Sequence, residues 1–60
     1  MQNYTIYRGR FKIDRFRAED VIAATMRFDL VADKMKNPVT LTLYQGKRSM
    51  ENMCVQFRIS

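Results

Sequence analysis

The chain contains no histidine and only one cysteine, Cys54, among its 60 residues. One cysteine cannot form a disulfide within the chain, and one thiol with scattered carboxylates does not make a zinc site. The lack of histidine removes the commonest general base and leaves Cys54 without a partner for a Cys–His pair. We therefore expect no metal, no cofactor and no enzymatic activity, with Cys54 an inert thiol on or near a strand face.

The carboxylates do not change this expectation. Glu19 and Asp20 are adjacent, so they point in different directions from a helix, and they suit the dipole at its first turn. Asp29 and Asp33 share a helix face, but a metal ion would need more oxygen ligands than these two supply. The two glycines stand far apart, which argues against a phosphate-binding loop.

Long apolar runs are also missing. No stretch approaches the ~20 residues that span a bilayer, and the N-terminus, MQNYTIYRGR, has no apolar signal-peptide core. A cytoplasmic, compact gene product is the expectation, with residues 1–60 forming a single domain. The hydrophobic fraction of 47% suffices for a folded core, although a chain of this length buries little surface and is marginally stable.

One segment, Ala18–Lys36, has the length and periodicity of a helix. The sequence shows no clear N-cap, since Arg17 is unsuited and Asp14 lies too early. Asn37–Pro38 is expected to end the helix, because proline cannot continue it. Apolar and small residues recur at three- and four-residue steps and predict a buried face, consisting of Val21, Ala24, Thr25, Phe28, Val31, Ala32 and Met35.

A second apolar line lies off this face at Ile22, Met26 and Leu30. One interpretation makes these residues the margin of a wide buried stripe. The other makes them a contact surface for another protein or for a second copy in a homodimer. Contiguous exposed apolar patches are the kind that mark interaction sites.

Residues 4–16 predict strand, but the apolar residues change parity between Ile6 and Phe11. A bulge at Gly9 would correct the parity, and so would a hairpin that turns at Arg8–Gly9. The hairpin is favoured because it places one apolar set on one face. It predicts that Tyr7 pairs with Arg10, Ile6 with Phe11, Thr5 with Lys12 and Tyr4 with Ile13.

Two further strands follow the helix, at 39–45 and 53–60, separated by the polar segment GKRSMEN. The fold class is therefore α+β, a two-layer domain with an antiparallel-type sheet in the order ββαββ. A βαββ fold with a bent first strand is the alternative. The sheet face covered by the helix is predicted to carry Ile6, Phe11, Ile13, Val39, Leu41, Leu43, Val55, Phe57 and Ile59.

The opposite, open sheet face collects polar, basic and tyrosine side chains in a chain of net charge +5. By alternation it carries Thr5, Tyr7, Arg10, Lys12, Thr40, Thr42, Tyr44, Gln56 and Arg58, with Arg8 extending from the first turn and Lys47 and Arg48 from the last loop. Basic groups neutralise phosphates and tyrosine rings stack on bases, while tyrosine and arginine also anchor protein interfaces. The predicted binding residues are Tyr7, Arg8, Arg10, Lys12, Tyr44, Lys47, Arg48 and Arg58.

Three outcomes remain for this face: a protein partner, a nucleic acid, or a solvated surface without a partner. The leading hypothesis is a small binding protein that docks on a host protein or nucleoprotein complex and inhibits or modulates it. Direct DNA or RNA binding is the alternative. Lone basic modules of this size suit phages and mobile elements, and anti-CRISPR proteins illustrate the type, although this analogy rests on size and style and not on a motif.

Overall fold

The computed structural model describes residues 1–35 and 39–58. Its elements are β1 (Gln2–Arg8), β2 (Phe11–Ala18), α1 (Val21–Asp33), β3 (Thr40–Gln45), a short 3-10 helix (Met50–Asn52) and β4 (Met53–Arg58). The strands form one sheet in the order β2-β1-β3-β4, and all neighbouring pairs are antiparallel. The predicted ββαββ order and the α+β class are confirmed.

The hairpin of β1 and β2 is confirmed, but its predicted turn is wrong by one residue. Arg8 pairs with Phe11, so the turn consists of Gly9 and Arg10. Gly9 has φ +61°, which a type II′ turn requires at its first central position. The hairpin turns one residue later than predicted because glycine must take that position.

The hairpin also contains a bulge, at Ile13. Tyr7 pairs with Lys12 and Ile6 with Asp14, so Ile13 has no partner on β1. The extra residue reverses the alternation along the rest of β2. Phe11 and Ile13 are predicted to lie beneath the helix, and this is wrong. Phe11 pairs with Arg8 and so lies on the helix side of the sheet, but it is 71% exposed, and the bulged Ile13 is also exposed.

The helix begins three residues later than predicted. Ala18 is the last residue of β2, and Asp20 is the N-cap, with its side chain accepting a hydrogen bond from the Ala23 backbone N–H at 2.9 Å. Asp20 therefore acts before the first turn and not within it. The helix ends at Asp33, with Lys34 as its C-cap. Lys36 and the predicted terminator Asn37–Pro38 lie outside the described residues.

The core lies between one face of α1 and the sheet. Ala24, Phe28 and Ala32 are the buried helix residues, as predicted, whereas Val21 is largely exposed. The Phe28 ring packs edge-on against Phe57 at 6.1 Å. The sheet supplies Tyr4, Ile6, Ala18, Val39, Leu41 and Leu43, with Phe16 and Val55 packed beside them. The prediction for Ile59 lies outside the described residues.

A polar contact joins the helix to β2. Arg27 Nε lies 3.3 Å from Asp14 Oδ2, and the Arg27 guanidinium lies 5.8 Å from the centre of the Phe16 ring. Asp14 and Phe16 face α1 only because of the bulge at Ile13. Both partners of the ion pair are partly exposed, so its contribution to stability is small.

We expect Phe28→Ala to remove roughly a third or more of the free energy of unfolding. Removing a buried phenylalanine costs about 3–5 kcal/mol, and a chain of this length has a total stability of only about 3–9 kcal/mol. Urea unfolding followed by circular dichroism measures the loss. Met50→Ala is the control, because Met50 is 82% exposed and its change is expected to stay within about 0.5 kcal/mol.

Alkali should also destabilise the fold through Tyr4. Burial raises the pKa of its hydroxyl, and negative charge on Cys54 and Asp20 raises it further. Tyr4 therefore ionises at a lower pH in the unfolded chain than in the folded protein. Its contribution to stability is complete below about pH 10 and is lost as the pH rises through its pKa in the folded state. Unfolding in urea between pH 8 and 11 should show a smaller loss for Tyr4→Phe than for the parent, and equal losses would contradict this cause.

Candidate functional site: a basic sheet face

The sheet face opposite α1 carries a band of cations. The strand register places Lys12 beside Tyr7, Arg15 beside Thr5 and Arg17 beside Asn3. Lys47 and Arg48 follow from the segment after β3. We call this surface the basic face and define it by Asn3, Thr5, Tyr7, Lys12, Arg15, Arg17, Thr42, Tyr44, Lys47 and Arg48.

The centre of the basic face is closed to solvent, unlike its edges. Thr5, Thr42 and Tyr44 are buried, and Tyr44 is only 8% exposed. The Tyr7 and Tyr44 rings meet edge to face at 5.4 Å, and the Arg48 guanidinium lies 5.5 Å from the centre of the Tyr7 ring. Tyr44 therefore has little exposed ring surface to stack on a base, and the partly buried Tyr7 lies beside Arg48. The stacking role of the two rings stays a prediction.

Two hydrogen bonds hold the segment after β3 against β1, and a third lies within the segment. The Gly46 N–H donates to the Asn3 carbonyl at 2.8 Å, and the Thr5 hydroxyl donates to the Gly46 carbonyl at 3.1 Å. The Asn52 side-chain amide donates to the Lys47 carbonyl at 3.1 Å. Gly46 has φ +81°, which favours glycine at this position. These bonds fix the backbone that carries Lys47 and Arg48.

A groove of about 420 Å³ lies between this segment and the β1–β2 pair. Its lining consists of Asn3, Thr5, Tyr7, Lys12, Arg15, Gly46 and Lys47. Three of these side chains are cationic, and none is a carboxylate. The Asn3 amide and the Tyr7 hydroxyl can donate hydrogen bonds to oxygen atoms, whereas the Thr5 hydroxyl already donates to the Gly46 carbonyl. The groove is therefore suited to an oxyanion such as a phosphate group.

Charge is segregated between the two layers of the domain. Asp14 faces the helix and pairs with Arg27, and Asp20 caps the helix. Asp29 and Asp33 lie on the helix itself. Among the strand residues of the basic face there is no carboxylate. The cations of this face are consequently not neutralised by carboxylates of neighbouring strands.

Two of the predicted site residues lie elsewhere. Arg8 pairs with Leu41, which puts it on the helix side of the sheet, and Arg10 belongs to the hairpin turn. Both border a largely apolar hollow of about 700 Å³, lined also by Gly9, Phe11, Ile13, Val39 and Thr40. Arg58 pairs with Thr40 through its backbone. Lys12, Lys47 and Arg48 are brought together with Tyr7, whereas Arg8 and Arg10 are not.

Sequence reasoning missed Arg15 and Arg17. Without the bulge at Ile13, both would have faced the helix. The signal was present in the segment Asp14–Ala18, where Phe16 and Ala18 are apolar at even positions and the arginines occupy odd ones. This alternation is opposite to that of Phe11 and Ile13 and indicates a second change of parity.

The apolar helix line is exposed. Ile22, Met26 and Leu30 are 71%, 66% and 59% exposed. The interpretation that made them the margin of a buried stripe is therefore wrong.

Neither the thiol nor the carboxylates form a further site. Cys54 is partly buried, and its Sγ lies 3.5 Å from the Asn52 carbonyl oxygen. Within residues 1–35 and 39–58, no three side chains of histidine, cysteine, aspartate or glutamate are grouped to hold a metal ion. No helix in the same residues is long and apolar enough to cross a bilayer.

Comparison with protein families, curated proteins and solved structures gives no match to this chain. Any functional assignment must therefore rest on the chemistry of its own surfaces.

We expect Gly46→Ala to destabilise the fold by about 1–2 kcal/mol, because an L-residue is strained at positive φ. No atom lies within 4 Å of the added Cβ, so backbone strain and not a clash is the cause. Gly46→Asn should cost less, since asparagine tolerates this conformation better. Urea unfolding measures both variants, and an equal cost for the two would point to a different cause.

Proposed function

We propose that this chain is a non-enzymatic nucleic-acid-binding module that contacts phosphates through the basic face. The observation that carries the proposal is the groove in which Lys12, Arg15 and Lys47 converge without a carboxylate. Phosphate contacts from lysine and arginine supply most of the affinity of non-specific nucleic-acid binding. Arg17 and Arg48 extend the positive surface to either side of the groove.

The burial of the tyrosines supports this choice over a protein interface on the same face. The centres of protein interfaces are depleted in charged residues and anchored by aromatic side chains. Here Tyr44 is buried, and Tyr7 is half-buried with Arg48 over its ring. What the face offers to a ligand is charge and hydrogen-bond donors. Binding should therefore depend on the phosphate backbone and show little preference for base sequence.

The test is fluorescence anisotropy with labelled duplex DNA, single-stranded DNA and RNA over a range of salt concentrations. Log K should fall with log salt by about 0.9 for each phosphate contacted in a duplex, hence by about 3.6 to 4.5 for four or five contacts. Lys12→Glu with Arg15→Glu should weaken binding at least ~10-fold at low salt and lower the slope by about 2. Circular dichroism establishes that the variant is folded.

The matched control is Arg8→Glu with Arg10→Glu, which changes the net charge equally at the hairpin end. It should retain most of the affinity. Equal losses in the two double variants would show that overall charge, and not the groove, determines binding. Absence of binding by the parent protein at low salt would overturn the proposal.

Docking on a host protein or nucleoprotein complex is the second candidate, and the hollow at the hairpin end favours it. The exposed Phe11 lies there between Arg8 and Arg10, a combination typical of a protein-interface anchor. If the chain inhibits or modulates a partner protein through this hollow, the two double variants should have the opposite effects on binding. Arg8→Glu with Arg10→Glu would abolish capture of the partner protein, and Lys12→Glu with Arg15→Glu would not.

A further inference from the structure

We infer that the exposed ridge of α1 binds a second copy of this chain, with the two helices running in the same direction about a twofold axis. The ridge consists of Ile22, Met26 and Leu30. Its members follow one another at four-residue steps, so they form a continuous row on the outer surface of the helix. All three are more than half exposed.

Charge complementarity identifies the occupant. At 100° per residue, Asp29 and Asp33 fall about 60° and 20° to one side of Met26, and Lys34, the next residue of the four-residue row, falls about 80° to the other. Arg27 lies on the same side as Lys34 but is paired with Asp14 of its own chain. All four side chains are exposed. A twofold axis parallel to the helices places the acidic side of one copy against the basic side of the other. An axis perpendicular to the helices would instead oppose like charges, which is unfavourable.

A row of this kind can pack against the same row of a second copy. Since both copies contribute the same row, the contact is self-complementary and closes as a dimer.

The decisive measurement is sedimentation equilibrium of the full chain over a wide concentration range. The parent protein and Met50→Asp should both dimerise, because Met50 is exposed but lies in the 3-10 helix away from the ridge. Met26→Asp should raise the dissociation constant at least ~10-fold, because it sets two carboxylates against each other at the centre of the contact. Circular dichroism checks that each variant is folded.

Two results would overturn the proposed contact. If the parent protein stays monomeric at every concentration, a second copy does not bind the ridge. A Met26→Asp variant that dimerises as tightly as the parent places the contact elsewhere, for instance at the β4 edge of the sheet.

The orientation has its own test. Asp33→Lys should weaken the dimer ~3-fold or more, because it places a like charge against Lys34 of the other copy. Glu51→Lys makes the same change in net charge in the 3-10 helix and should have a smaller effect. Equal effects of the two variants would contradict the parallel arrangement. None of these measurements uses nucleic acid, so their outcome is independent of the proposed function.

Discussion

The additional residue at Ile13 determines what each side of β2 carries. Beyond it, Asp14 and Phe16 turn toward the helix, and Arg15 and Arg17 turn away. The Asp14–Arg27 pair and the packing of Arg27 on Phe16 depend on this reversal. So does the convergence of Arg15 with Lys12 at one groove. A β2 without the bulge would direct two arginines at the core and expose Phe16, an arrangement with a large desolvation cost.

The segregation of charge has opposite consequences for folding and for binding. Like charges gathered on one sheet face repel one another, which lowers the stability of a domain that is already small. The same field attracts anions, and its cations are not neutralised by carboxylates of neighbouring strands. The β2 edge gains a further benefit. Its bulge and its row of cations oppose pairing with a second sheet edge, which is how natural proteins protect exposed strands.

Local sequence determined the fold more fully than it determined the site. Helical periodicity around Phe28 and alternation in β3 indicated the elements, because each pattern arises within one element from the burial of one of its faces. The turn lies one residue later than predicted. Both Arg8–Gly9 and Gly9–Arg10 can form a two-residue turn, and the two can be distinguished only when the φ of Gly9 is known. The bulge required comparing parity on both sides of Ile13. The burial of Tyr44 depends on the segment carrying Arg48 folding back over Tyr7, a tertiary contact that alternation does not encode.

The two proposed contacts use opposite layers of the domain, so they are geometrically compatible. In the proposed dimer the helices meet in the middle, and each basic face points outward, away from the other. One nucleic-acid segment of modest length therefore cannot contact both faces without bending around the assembly. Two separate segments can each occupy one face.

Dimerisation would then add little to the affinity for a short duplex, because the second face finds no phosphate within reach. It would instead join two long strands at high effective concentration. The combination thus favours bridging over tighter binding to a single site.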